Sequence, residues 1–106
     1  MTRVAVVQIN PRFGAVEENV ARCLSLAGRD NADIFVFPEL VTTGYNLSSL
    51  DQLSVLAEPA EGGPSFEAFS KFAASRGCHV SYGFAEKSQA GFFNSSSLIG
   101  PGGRIG

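Results

Sequence analysis

The stretch Ile34-Phe35-Val36-Phe37-Pro38-Glu39 decides the fold of this chain. Its first four residues are apolar and belong to the β-branched and aromatic types that favour strands. A run without alternating polar residues is typical of a strand that is covered on both faces, as in a parallel sheet. The sequence therefore predicts a buried strand that ends at a proline and is followed directly by a carboxylate.

The residues before this strand predict a second strand and a helix that connects the two. Val4 to Ile9 form another nearly unbroken apolar run. Between the two runs, apolar residues recur at helical spacing, acidic residues occupy the first turn, and a glycine follows the last apolar position. The residues of this pattern are Val16, Glu17, Glu18, Val20, Cys23, Leu24, Ala27 and Gly28. The order strand, helix, strand predicts two parallel strands joined by a right-handed crossover.

The residues after the central strand predict a second helix and a β-hairpin. The predicted elements are a loop with a short helical turn (42–56), a breaker segment (59–64), a helix (65–75), two strands (79–85 and 92–99) and a turn (100–103). The helix is indicated by Phe66, Phe69, Phe72 and Ala73, which share one face. We therefore expect residues 1–106 to form a single α/β domain with a mixed sheet, in the order β-α-β, helix, β-hairpin.

Composition and charge exclude several classes of protein. The chain has 106 residues, 44% hydrophobic and 17% charged, with a net charge of -2 and no Lys/Arg cluster, so nucleic acid is not expected as a partner. No apolar run approaches the roughly 20 residues that span a bilayer, so no membrane partner is expected. Met1-Thr2-Arg3 leads straight into the first strand instead of a signal-peptide core, and a cytoplasmic location is the default expectation.

The residues that commonly bind metals are too few and too scattered to form a site. Cys23 and Cys78 lie in unrelated contexts, and His79 is the single histidine. This spacing indicates neither a zinc site nor a disulfide framework, and both cysteines are interpreted as buried, reduced side chains. We expect no metal and no cofactor.

Glu39 is the candidate catalytic residue. It follows the carboxyl end of a predicted parallel strand, the edge at which open α/β sheets form ligand crevices. If the strand continued, Glu39 would share a face with Phe35 and Phe37. Aromatic surroundings disfavour the ionised form of a carboxyl group, which would make it a better proton acceptor near neutrality. The alternative is that Glu39 caps the next segment or lies exposed at a strand end.

The residues around Glu39 decide between these interpretations. Phe37-Pro38-Glu39-Leu40, followed by Thr43-Gly44-Tyr45, resembles the glutamate motif of the nitrilase superfamily, the carbon-nitrogen hydrolases. Other segments resemble the same family in the same order along the whole chain. They are Val4-Ala5-Val6-Val7-Gln8, Asn19, Ala32-Asp33, Gly83-Phe84-Ala85-Glu86 and Phe93-Asn94-Ser95-Ser96.

This resemblance implies an αββα sandwich and a Glu-Lys-Cys triad in which Glu39 is the general base. The implied substrate is a small amide or nitrile, with amidase favoured over nitrilase by the context of Thr43 to Asn46. A thiol is only slightly ionised at neutral pH, so a carboxylate is needed to take its proton before the sulfur attacks. Tyr45 either shapes the substrate pocket or packs beneath the glutamate loop.

The chain departs from the family pattern in one respect: no residue matches its lysine or cysteine motif. Lys71, Lys87, Cys23 and Cys78 all fall in other contexts. We therefore expect residues 1–106 to be an N-terminal part of the domain that is inactive alone. Half a sandwich leaves apolar faces uncovered, which predicts a homo-oligomer or association with a missing C-terminal part. Two alternatives stay open: a non-catalytic α/β binding or scaffold module, and a truncated regulatory subunit.

Overall fold

The computed structural model describes all residues from 1 to 106 and contains five strands and three helices. In chain order they are β1 (Val4–Val6), α1 (Val16–Ala27), β2 (Ile34–Val36), α2 (Leu50–Leu56), α3 (Pro64–Arg76), β3 (His79–Ser88), β4 (Gly91–Gly100) and β5 (Gly103–Arg104). None of the three helices is long and apolar enough to cross a membrane.

All five strands form one sheet in the order β1-β2-β3-β4-β5. The first three strands are parallel, with Val4 opposite Ile34 and Ile34 opposite His79, whereas β4 and β5 are antiparallel to their neighbours. The predicted mixed α/β sheet is therefore confirmed. Because β1, β2 and β3 lie side by side in chain order, right-handed crossovers place their connecting helices on the same side of the sheet.

The side of the sheet that α1 and α3 cover, here called the helix face, carries the core. Phe69 of α3 is fully buried and stacks on Tyr82 of β3, with ring centroids 4.3 Å apart. The ring centroid of Phe37 lies 5.2 Å from that of Phe69, and Cys23 of α1 belongs to the same buried cluster. Aromatic contacts between the sheet and α3 therefore fix the helix layer on the sheet.

The opposite side of the sheet, here called the open face, is not covered by α1 or α3, and α2 reaches it at one end, where Leu53 lines a pocket with Ala85. Along β3, Val80 and Tyr82 point to the helix face, so Gly83 and Ala85 belong to the open face. On β1 the open-face side chains Val4 and Val6 are 58% and 71% exposed. A parallel sheet is ordinarily covered on both faces, so this surface is the half of the expected αββα sandwich that remains uncovered.

The predicted helices match the observed ones closely because their end signals are local. Gly77 follows α3 with a φ of 64°, a left-handed conformation that glycine adopts readily and that ends the helix. Pro64 opens the same helix, where a missing N–H group costs nothing. The strands that start at Val4 and Ile34 are shorter than predicted, and β2 ends close to Pro38, which has no N–H to extend the ladder.

Glu58 is a buried carboxylate that sequence reasoning missed. Its side chain is held at the start of α3, where Oε1 accepts from the Ser65 N–H at 2.8 Å and Oε2 accepts from the Ser65 hydroxyl at 2.5 Å. Its backbone also bonds to β3, because the Glu58 N–H donates to the Ala85 carbonyl at 2.9 Å. The breaker segment after Glu58 is thus held at both ends.

Candidate active site

Glu39 lies on the open face of the sheet and is exposed. The expectation that it shares a dry aromatic setting with Phe35 and Phe37 is wrong, because both rings are buried on the helix face. Side chains alternate only while a strand continues, and β2 ends at Val36. The chain then turns at Leu40, whose φ of 45° is unusual for a residue with a side chain.

Asn94 holds the Glu39 side chain from the neighbouring hairpin. Asn94 lies on β4 opposite Ala85, which places it on the open face. Its Nδ2 donates a hydrogen bond to Oε1 of Glu39 at 2.5 Å. Sequence reasoning placed Asn94 in the segment Phe93-Asn94-Ser95-Ser96 that resembles the family but gave it no role, although its polar side chain within that segment was an available signal. This bond from an amide to a carboxylate oxygen restrains the rotation of the Glu39 carboxylate.

The backbone around Glu39 is bonded to β3 on both sides. Before it, the Gly83 N–H donates to the Pro38 carbonyl at 3.2 Å. After it, the Val41 N–H donates to the Gly83 carbonyl at 3.0 Å. The turn that carries the carboxylate is therefore joined to the central strand at one residue, Gly83.

Asn19 of α1 fixes the far side of the same loop. Its side chain is fully buried, and its Nδ2 donates to the carbonyls of Arg12 at 2.8 Å and Thr42 at 2.9 Å. Its Oδ1 accepts from the Arg12 N–H at 2.8 Å. Because all of its hydrogen-bonding groups but one lone pair are used, Asn19 ties α1 to the segment that follows Glu39.

A small apolar pocket of about 150 Å³ adjoins the Glu39 and Asn94 pair. Asn94 is its polar member, and the other lining residues are Leu40, Leu47, Leu53, Ala85, Phe92 and Phe93. Tyr45, the second sequence-predicted site residue, is 55% exposed and does not line this pocket. Two larger concavities, of about 710 and 480 Å³, run along α1 on the other side of the sheet and do not include Glu39.

The two cysteines lie in the core, as the sequence predicts. Burial raises the pKa of the Cys23 thiol to about 12 and also raises the pKa of Cys78. A buried thiol that keeps its proton is a poor nucleophile, so neither residue substitutes for the family's cysteine. No group of three or more His, Cys, Asp or Glu side chains is arranged to hold a metal ion.

Solved structures with the same arrangement define the class of protein. A crystal structure of an N-terminal amidase with an Asn-Glu peptide superposes with a TM-score of 0.90 at 27% identity, over 99% of this chain and 26% of that one. The XC1258 protein from Xanthomonas campestris, a CN-hydrolase superfamily protein, has the same fold, with a TM-score of 0.82 at 22% identity over 95% of this chain. The helices and mixed sheet are therefore those of carbon-nitrogen hydrolase folds.

Sequence comparison places the chain within the same group. The carbon-nitrogen hydrolase model matches residues 3–106, and the chain belongs to that family. A nitrilase of Pyrococcus abyssi is 31% identical over 100% of this chain and 42% of its own length. A protein N-terminal amidase of Saccharomyces cerevisiae is 27% identical over 95% of this chain and 24% of its own length. The chain thus spans less than half the length of these relatives.

Proposed function

We propose that this chain supplies the general base, Glu39, of an amidase-like hydrolase of non-peptide carbon-nitrogen bonds. The observation that carries the proposal is the position of Glu39 on the open face, with one carboxylate oxygen held by Asn94 and the other free. A general base must present a free oxygen within hydrogen-bond reach of the proton that it takes. The turn between Pro38 and Val41 fixes that oxygen relative to the sheet.

The chemistry follows from the residue types of the triad that the family resemblance implies. The free carboxylate oxygen of Glu39 takes the proton of a cysteine thiol, and the sulfur then attacks the amide carbon. A lysine ammonium stabilises the tetrahedral anion. The nitrogen leaves as the amine or ammonia, carrying the proton that Glu39 held. Water then adds to the thioester and gives a proton to Glu39. The carbon–sulfur bond breaks, the acid is released, and the leaving thiolate takes the proton back from Glu39. Within residues 1–106, Glu39 is the triad member that the sequence matches.

An amide is the favoured substrate class. Among the relatives, several carry the name amidase, including the Saccharomyces cerevisiae protein and an (R)-stereoselective amidase of a Pseudomonas species. The pocket beside Asn94 is lined mostly by leucine and phenylalanine. With a volume of about 150 Å³ it matches a small hydrocarbon substituent of the substrate. Tyr45, an exposed residue in the loop that follows Glu39, is a further proposed substrate contact.

The exposure of Glu39 favours a second candidate for the 106 residues acting alone: a non-catalytic α/β module. Glu39 is exposed and does not line the five main cavities of the chain. Electrostatic interactions in an active site are strengthened when water is excluded from it. We therefore propose that the chain by itself releases no ammonia from simple amides. Reading the coding sequence on both sides of these residues separates the candidates, since the hydrolase requires lysine and cysteine motifs in the same frame.

The decisive test uses the whole product of the open reading frame that contains these residues. Glu39→Gln keeps the shape of the side chain and its acceptor oxygen for Asn94 but removes the base, and we expect ammonia release to fall by about 10²- to 10⁴-fold. Glu86→Gln is the matched control. Like Glu39, Glu86 is a carboxylate that accepts one bond, here from the Ser95 hydroxyl at 2.7 Å, but it lies on the helix face of β3. Equal activity of Glu39→Gln and wild type would refute the proposal.

A further inference from the structure

We propose that Gly83 is a positioning residue for Glu39, because the missing side chain at this point of β3 lets the Glu39 backbone lie directly against the open face. The inference rests on the proposed function, in which Glu39 is the base. It concerns a residue that never touches the substrate. Its effect on the reaction comes through the place that it gives to Glu39.

The contact distances show why this position has no room for a side chain. A Cβ atom on Gly83 would lie 2.6 Å from the Leu40 nitrogen, 2.7 Å from the Glu39 Cα and 2.9 Å from the Pro38 carbonyl oxygen. All three are backbone atoms, so no side-chain rotation relieves the contact. Carbon atoms ordinarily approach to about 3.5–4.0 Å. Alanine would therefore displace the Glu39 turn by roughly 1 Å.

The hydrogen bonds on either side of Glu39 restrict how the turn could move away from a side chain at position 83. Gly83 provides both of them, donating to Pro38 and accepting from Val41. Between these bonds, Leu40 already has a φ of 45°. A shift at Gly83 must therefore break a bond to β3 or move Glu39 away from Asn94. Gly102, in the turn before β5, has no atom within 4 Å of its Cβ position and provides a matched control.

The expected consequence is a loss of alignment more than a loss of binding. In a bound substrate complex, a misplacement of about 1 Å in a catalytic group can lower the rate by about 10²-fold. In the whole hydrolase we expect Gly83→Ala to lower kcat by about that factor and to leave KM nearly unchanged. Gly102→Ala should alter neither.

The experiment that reports position directly uses the ¹⁵N-labelled 106-residue chain. In the wild type, the chemical shift of the Asn94 side-chain amide should reflect its bond to Glu39, and a Glu39→Ala chain, which lacks the acceptor, gives the shift of the unbonded amide. In Gly83→Ala we expect the Asn94 signal to move more than half of the way toward the unbonded shift while the core signals persist, with Gly102→Ala unchanged. A folded Gly83→Ala chain with the wild-type Asn94 shift would overturn the inference.

A second measurement keeps the inference testable if Gly83→Ala does not fold. In the wild type, the Val41 and Gly83 amides should exchange with solvent at least 100-fold more slowly than exposed loop amides, because both bonds are closed. Unprotected exchange at both would overturn the inference. The two proposals fail separately. Full hydrolysis by Glu39→Gln would refute the proposed function. Loss of hydrolysis in Glu39→Gln together with an unchanged kcat in Gly83→Ala would refute only the role of Gly83.

Discussion

Asn94 and Glu39 lie 55 positions apart in the chain and meet on the open face, with the amide Nδ2 donating to the carboxylate Oε1 at 2.5 Å. The two residues belong to different parts of the fold, since Asn94 is on the hairpin and Glu39 follows β2. A rotating carboxylate presents its free oxygen in many directions, whereas one held by a neighbouring amide presents it in few. This bond therefore orients the proposed base.

The first prediction follows from that bond. In the whole hydrolase, Asn94→Ala should lower kcat about tenfold, which corresponds to losing roughly 1.4 kcal/mol of transition-state stabilisation. The control is Ser96→Ala, the next open-face residue of β4, whose hydroxyl faces Ser81 at 3.5 Å instead of Glu39. Steady-state assays of ammonia release measure both variants. If the two lose activity equally, Asn94 has no particular part in orienting Glu39.

The second prediction concerns the support of the glutamate loop by α1. Asn19→Ala removes three hydrogen bonds and leaves the Thr42 carbonyl without a partner in the interior. We expect the free energy of unfolding to fall by about 3 kcal/mol, since each unpaired buried group costs about 1–3 kcal/mol. Urea denaturation measures the loss. The control is Asn31→Ala, an exposed site, where a change comparable to that of Asn19→Ala would contradict the structural role.

The third prediction concerns alkaline pH. The pKa of Cys23 rises from 9.0 to about 12 on burial, so the folded chain holds the thiol proton more tightly than the unfolded chain does. This contribution to stability is fully present below pH 9, where both states are protonated, and is lost as pH rises from 9 toward 12. Under reducing conditions the urea midpoint should fall across this window. Cys23→Ala should have the shallower slope, and identical slopes for the two chains would contradict the assignment.

The fourth prediction concerns the open face. Val4 and Val6 expose apolar surface on the open face, the side of the sheet that carries Glu39. Exposed apolar patches commonly bind another protein surface. We expect the 106-residue chain to self-associate, and Val6→Lys to abolish that association. Val55→Lys is the control, because Val55 is 79% exposed but lies on α2. Light scattering at micromolar concentration decides the matter, and a monomeric wild type would count against the prediction.

Helices α1 and α3 and the order of the elements from β1 to β4 were predictable from sequence because their signals are local, whereas α2 was expected only as a helical turn within a loop and β5 was not expected. The spacing from Val16 to Ala27 predicts α1 with its observed bounds, and Gly77 marks the end of α3. The parallel pairing of β1 and β2 follows from a handedness rule that applies to any strand-helix-strand unit. In each case a few neighbouring residues carry the whole signal.

The surroundings of Glu39 were not predictable in the same way. Alternation along β2 placed the carboxylate with Phe35 and Phe37, but its face is set by bonds to Gly83, which lies far along the chain. Nothing near Asn94 in the sequence indicates that its partner is Glu39. The buried Glu58 is a similar case, because its bonds to Ser65 form only once α3 is in place.

The order of the strands in the sheet also matters for how the chain is made. Each of β2, β3, β4 and β5 adds to the edge left by the strand before it. During synthesis, a strand that leaves the ribosome thus finds its neighbour already present, and no early strand has to wait for a late one. The growing protein can therefore assemble from its amino terminus onward, and the turn that carries Glu39 is completed when β3 arrives.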